Sequence, residues 1–181
     1  MHPSRSFVRA SAVLLLWLTA AAPVSVPVQP IVVGVMPTKG ASTGLPLPRF
    51  ASLKTSPVDM RVGPGFRYPI TWVYHERNLP VEIIREYDVW RQVEMSDGTE
   101  GWVQELKLSG KREFMVTGEI RDLHATTEVD SPVVAKVEPG VIGHITSCAI
   151  GSEWCEVSIG KVDGWLLRTD MFGVLPDEVL P

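Results

Sequence analysis

Aromatic and β-branched residues fall in short runs along the chain: Ile70 to Tyr74, Val81 to Tyr87, Trp90 to Met95 and Glu100 to Gln104. Runs of that length, bounded by turn residues, predict β-strands rather than helices. Asp97-Gly98, between the last two runs, is a strong hairpin signal because tight hairpin turns need residues that accept a positive φ. Four or more such strands within about 60 residues predict a small barrel rather than a sandwich. Side chains alternate faces along a strand. With Val93 pointing inward, Trp90 points out, and the same parity sets Trp102 against Val103, Trp154 against Val157 and Trp165 against Leu166. Two indoles per unit are thus expected on the face away from the core aliphatics.

The pattern then repeats with a shift of 62 to 64 residues. Met60 lies over Leu123, Pro69 over Pro132 and Ile70 over Val133; Trp90-x-x-Val93 matches Trp154-x-x-Val157, and Gly101-Trp102-Val103 matches Gly164-Trp165-Leu166. Matches in one order at a near-constant offset indicate two copies of one unit. The expected boundaries are a barrel at 50–110, a second at 111–175 and a tail at 176–181. The link from Leu108 to Phe114 holds one Gly and no Pro, so the barrels should touch. With 15 Gly and 15 Pro in 181 residues, a helical bundle is excluded.

Ahead of the first unit the composition changes twice. Arg5 and Arg9 precede an uncharged, largely apolar run from Ala10 to Ala22 that is cut short by Pro23 and Pro27, too early for a membrane-spanning helix. Residues 1–21 therefore read as a signal peptide, with the protein periplasmic or secreted; a membrane association is expected only if that segment stays uncleaved. Residues 22–49, with Pro23, Pro27, Pro30, Pro37, Pro46 and Pro48, read as a linker, so that folding should begin near Phe50. The apolar patch Ile31 to Met36 is the part of it that can add a strand. A net charge of −4 excludes nucleic acid as a partner by phosphate neutralisation.

The first unit holds Met60-Arg61-Val62, a Gly63-Pro64-Gly65 loop, a Tyr68-Pro69-Ile70 strand start, Trp-x-x-Val and an acidic Gly-Trp-Val strand. In that order these resemble the bacterial Src-homology-3-like (SH3) domain, in tandem over roughly residues 50 to 172. The second copy has Thr126-Thr127-Glu128 where the first has its Gly-Pro-Gly loop. The resemblance implies an all-β fold of two small SH3-like barrels, exported and non-catalytic, binding a cell-wall (peptidoglycan) peptide or glycan or an envelope protein. No cofactor is expected.

Chemistry-bearing residues give little else. Papain-like peptidases need a Cys at a helix N-terminus and a downstream His; here both Cys lie in strand-rich sequence, with His144 upstream. His75, His124 and His144 lack the spacing of a zinc site, and no metal is expected. Binding is instead expected from Trp90 and Trp102, with Trp72 in the run Ile70 to Tyr74, the loop Gly63, Pro64 and Gly65, and a polar rim of Arg61, Tyr68 and Tyr74. The alternative is that the indoles are covered by the loop of their own barrel or by the other barrel. A structural subunit that docks a partner by strand addition, and an unrecognised hydrolase, are the other two function classes. Cys148 and Cys155 are expected to form a disulfide: export favours pairing, and a turn over 150–153 sets the two opposite each other across a hairpin.

Overall fold

A computed structural model describes residues 38–128 and 130–181. The expected signal peptide and the patch Ile31 to Met36 lie outside the described residues. A two-strand hairpin, β1 (Thr38–Lys39) and β2 (Pro46–Leu47), precedes the first unit. That unit comprises β3 (Arg49–Leu53), β4 (Val58–Arg61), β5 (Ile70–Tyr74), β6 (Pro80–Tyr87), β7 (Trp90–Glu94), β8 (Glu100–Gln104) and β9 (Leu108–Ser109). The second comprises β10 (Glu113–Val116), β11 (Arg121–His124), β12 (Val133–Val137), β13 (Ile142–Cys148), β14 (Trp154–Ile159), β15 (Val162–Leu167) and β16 (Met171–Phe172). Single 3-10 turns follow β8 (Glu105–Lys107) and β15 (Arg168–Asp170).

Each unit is one antiparallel sheet, with strand order β5-β4-β8-β7-β6-β3-β9 in the first and β12-β11-β15-β14-β13-β10-β16 in the second. Strand for strand the two orders are the same. In the first, Val58 and Met60 (β4), Val103 (β8), Val93 (β7), Val81 and Ile83 (β6), and Ala51 and Leu53 (β3) meet in one cluster, flanked by Tyr74 of β5 and Leu108 of β9. All seven strands of a flat sheet cannot reach one cluster; the sheet is curled on itself, as a small barrel requires. A separate cluster does the same for the second unit, from Phe114 and Val116 through Leu123, Ile145, Val157 and Leu166 to Met171. Asp97-Gly98 forms the turn between β7 and β8, with Gly98 at φ +80° and its N–H donated to the Met95 carbonyl at 2.9 Å.

The barrels touch directly. Phe50 meets Phe172 edge to face with ring centroids 4.9 Å apart. Arg112, in the short link, lies with its guanidinium over the Phe50 ring at 5.8 Å, donates to the Gly173 carbonyl at 2.7 Å and pairs with Glu178.

The most informative difference between the copies sits at one register position. Glu86 faces Arg91 across β6 and β7, and Cys148 faces Cys155 across β13 and β14. These positions correspond, because Trp90 and Trp154 stand one residue before them and pair with Gln104 and Leu167 in turn. In the second copy the sulfurs are joined in a disulfide with Cα atoms 4.4 Å apart, in the expected register. In the first copy the link is ionic: Arg91 is 3% exposed, lies 3.7 Å from Glu86 and pairs with Glu105.

Glu86 also explains order inside the stretch expected to be a linker. Its fully covered carboxylate accepts the backbone N–H of Ser42 and of Thr43 at 2.9 Å each, the Thr43 hydroxyl at 2.7 Å and Arg49 at 2.6 Å. Burial pushes the carboxyl up, but the hydrogen bonds from Thr43, Arg49 and Ser42 outweigh it and hold the pKa at about 2. The folded part thus reaches back past Phe50, with Leu47 buried in the first core. The expected tail is engaged too, since Leu180 exchanges backbone hydrogen bonds with Cys148 at 2.9 and 3.0 Å.

Candidate functional site

Trp90 opens β7 on the face opposite Val93, as parity requires, and it is not part of the core cluster. It is nevertheless only 6% exposed. Its cover is Phe66, which meets the indole edge to face at 5.3 Å and is itself 71% exposed. The loop that carries Phe66 is built by the residues expected to bind. Gly63 is packed under Tyr68, where a Cβ would come within 2.6 Å of the ring, so only glycine fits there. Backbone bonds from Gly65 to Gly63 and from Tyr68 to Gly65 tighten the turn around Pro64.

Arg61 fastens this loop to the sheet. Its guanidinium donates to the Phe66 carbonyl at 3.2 Å and the Tyr68 carbonyl at 2.8 Å, and pairs with Asp59 at 3.3 Å. Arg61, Phe66 and Trp90, together with Asp59, Gln104 and Lys107, line a groove of about 220 Å³. It offers two aromatic rings and charges of both signs.

Of the sequence-derived residues, the structure brings Arg61 and Trp90 into this groove, while Gly63, Pro64, Gly65 and Tyr68 shape its loop. Trp102 stands directly opposite Arg61 across β4 and β8, half-buried beside the groove without lining it. Trp72 is 57% exposed on β5, the outermost strand of its sheet, and Tyr74 packs against the core. Burial and the Asp97 carboxylate push the Tyr74 hydroxyl above its usual range. Phe66, Asp59, Gln104 and Lys107 were not among the candidates. The repeat offered a signal for Asp59, which stands over Asp122 at the offset of the strands around it.

The second copy has its own groove in the corresponding place, about 440 Å³, lined by Asp122, His124, Trp154, Leu167 and Asp170 along with Ile120, Arg121 and Lys136. His124 takes the position of Arg61, opposite Trp165 as Arg61 is opposite Trp102. Among the described residues no aromatic ring takes the part of Phe66, and the His124 ring makes the edge contact to Trp154 at 5.3 Å. Ion pairs Lys136–Asp122 at 2.7 Å and Arg121–Asp170 at 3.2 Å lie along its walls. Among the described residues no group of three or more His, Cys, Asp or Glu is placed to hold a metal ion.

Two curled sheets of one strand order, each with an indole-based groove beside its first long loop, define a tandem small-barrel protein. The chain belongs to the bacterial SH3 domain family, whose sequence profile matches residues 54–110 and 125–171, one stretch in each copy. None of the curated proteins matches it. Among solved structures it is similar to NlpC2 from Trichomonas vaginalis, at 11% identity and a TM-score of 0.32 over 69% of this chain and 48% of that one. NlpC1 from the same organism gives 11% identity and a TM-score of 0.33 over 74% and 48%. The chain thus spans about half the length of either protein.

Proposed function

We propose that this protein is an exported, non-catalytic binding module whose Trp90 groove takes a peptide carrying both charges, as cell-wall peptides do. The observation that carries this reading is the coincidence of grooves: each copy places an indole and an aspartate at matching strand positions, with Arg61 or His124 two residues after the aspartate, although the loops above them differ. Two aromatic rings supply apolar area, and Asp59 and Lys107 supply opposite charges for the ends or side chains of a short peptide. Membership of the bacterial SH3 domain family supports a binding role. The disulfide supports export, because such bonds persist in oxidising compartments.

A second reading has its own observation. β5 is an edge strand whose Ile70, Trp72 and Val73 are 44%, 57% and 45% exposed, with no charge among its five residues. Uncharged apolar edges are open to strand addition by a partner protein.

Co-sedimentation of the protein with purified cell wall separates the two. Phe66→Ala removes an exposed ring and leaves the core intact. Phe66→Ala and Trp90→Ala are each expected to weaken binding by about 2 kcal/mol, the scale of an aromatic anchor, while Trp72→Ala leaves it unchanged. Loss with Trp72→Ala alone would favour the edge strand. Export is tested by sequencing the N-terminus of protein recovered from the cell envelope, where cleavage after Ala21 is expected.

A further inference from the structure

Beyond the two grooves, the second copy holds a larger cavity with a buried cation in its wall. It measures about 760 Å³ and lies between the 150–153 turn, the 3-10 turn after β15 and the segment from Val174 to Val179. Ile150, Leu167, Val174, Pro176 and Val179 give it apolar walls, and Arg168 is the charged group set among them. Volume and composition fall in the range of small-molecule sites.

Arg168 is only 8% exposed. Its guanidinium donates to the carbonyls of Ser152 at 2.7 Å, Leu175 at 3.0 Å and Ala149 at 3.2 Å. A guanidinium has five N–H groups, so two remain. Among the described residues no carboxylate pairs with it within 4.0 Å, and residues 1–37 contain no acidic residue to do so. Carbonyl dipoles satisfy hydrogen bonds but do not cancel a buried charge, which is costly without a counter-ion.

The first copy shows what that position holds when it is complete. Glu105 occupies the place of Arg168: each opens the 3-10 turn, and each donates its backbone N–H to the residue before the Trp, Val89 or Glu153. Glu105 pairs there with Arg91, a guanidinium on the neighbouring strand. In the second copy the guanidinium is present at this place, and the neighbouring position is Cys155, spent in the disulfide. One half of a carboxylate–guanidinium pair is left for something else to complete.

We propose that this cavity binds a short apolar peptide by its free C-terminal carboxylate, which pairs with Arg168 while the side chains lie against the apolar walls. Glu153 and Asp177 also line the cavity and are exposed, so they face the outer end of such a ligand. Their charge favours a peptide, with an ammonium at that end, over a fatty acid. The site is separate from the Trp90 groove and stands without the reading given to it.

The test is calorimetric titration of the full chain with the tripeptide Val-Val-Leu, its C-terminal amide, its N-acetyl form and decanoate. The free tripeptide should bind at one site, the amide at least tenfold more weakly, and the N-acetyl form more weakly by a smaller factor. Arg168→Ala removes the cation and also three loop contacts, so the decisive variant is Val179→Asp. It adds a carboxylate at a wall residue that is 51% exposed; binding should fall at least fivefold with an unchanged melting temperature. Phe66→Ala should leave the titration as it is. Equal binding of acid and amide, no binding of the acid, or indifference to Val179→Asp would overturn the proposal. So would loss of binding in Phe66→Ala, which would put the peptide in the groove, or decanoate binding as tightly as the peptide.

Discussion

Replacing Glu86 by Gln tests quantitatively how its carboxylate holds the Ser42–Thr43 segment and Arg49. The side chain keeps its shape, but the amide brings an N–H₂ to a place where every neighbour is a donor: Ser42, Thr43, Arg49 and Arg91. The carboxyl is held at about 2 against an ordinary value of 4.5. At 1.36 kcal/mol per pH unit, that difference amounts to about 3 kcal/mol of stability. Because the folded-state value is depressed, the contribution is complete above pH 4.5 and is lost as pH falls toward 2. Guanidinium unfolding followed by tryptophan fluorescence should show Glu86→Gln about 3 kcal/mol less stable than wild type at pH 7. At pH 3 the gap should have narrowed by about 2 kcal/mol, because the wild type alone pays for protonation. Equal midpoints at pH 7, or a gap that does not change between pH 7 and pH 3, would refute the assignment of this stability to the Glu86 charge.

The disulfide closes a loop of sequence separation 7, for which chain entropy gives about 2.5 kcal/mol; replacing both Cys148 and Cys155 by Ser should lower stability by that order, and the unreduced wild type should weigh two hydrogens less than its sequence. Gly143→Ala should destabilise by about 1–3 kcal/mol, as overpacking does, since its Cβ would meet the Phe114 ring at 2.6 Å and the Ser158 carbonyl at 2.8 Å. Gly101→Ala should destabilise as well, because its Cβ would run into Cγ of the buried Met60 and meet the Arg61 carbonyl at 3.1 Å; thermal melts of the two variants compare them. Phe50→Ala removes the edge-to-face contact with Phe172, a loss of about 1 kcal/mol, and small-angle scattering should then report a wider distribution of distances between the barrels.

What could be read in the sequence was what local chemistry determines. The run Ile70 to Tyr74 is a strand over those same residues, and Asp97-Gly98 is a turn with Gly98 at positive φ. The disulfide register followed from strand geometry alone. Order at Thr38 to Leu47 was hidden, because proline density suggests an extended linker and the groups that hold it, Glu86 and Arg49, lie beyond it in sequence. Parity put Trp90 off the core correctly but said nothing of its burial, which depends on where Arg61 pins the loop bearing Phe66. Arg168 was invisible for a related reason: a lone arginine becomes a site only when the chain that surrounds it brings carbonyls and no carboxylate.

A chain that folds the same strand order twice in succession faces a hazard that a single barrel does not, since strands of one copy are candidates to pair with those of the other. The cross-strand position that holds Glu86 and Arg91 in one copy and Cys148 and Cys155 in the other works against that exchange. If β6 met β14, the Glu86 carboxylate would face a cysteine; if β13 met β7, a thiol would face the Arg91 guanidinium. Neither hybrid can form a salt bridge or close a disulfide at that point: Glu86 keeps Arg49 but loses Arg91, and Arg91 keeps Glu105 but loses Glu86. Specificity of this kind comes from penalising the wrong partner as much as from rewarding the right one. The two copies therefore carry different keys at the same place, and each hairpin is favoured to close on itself.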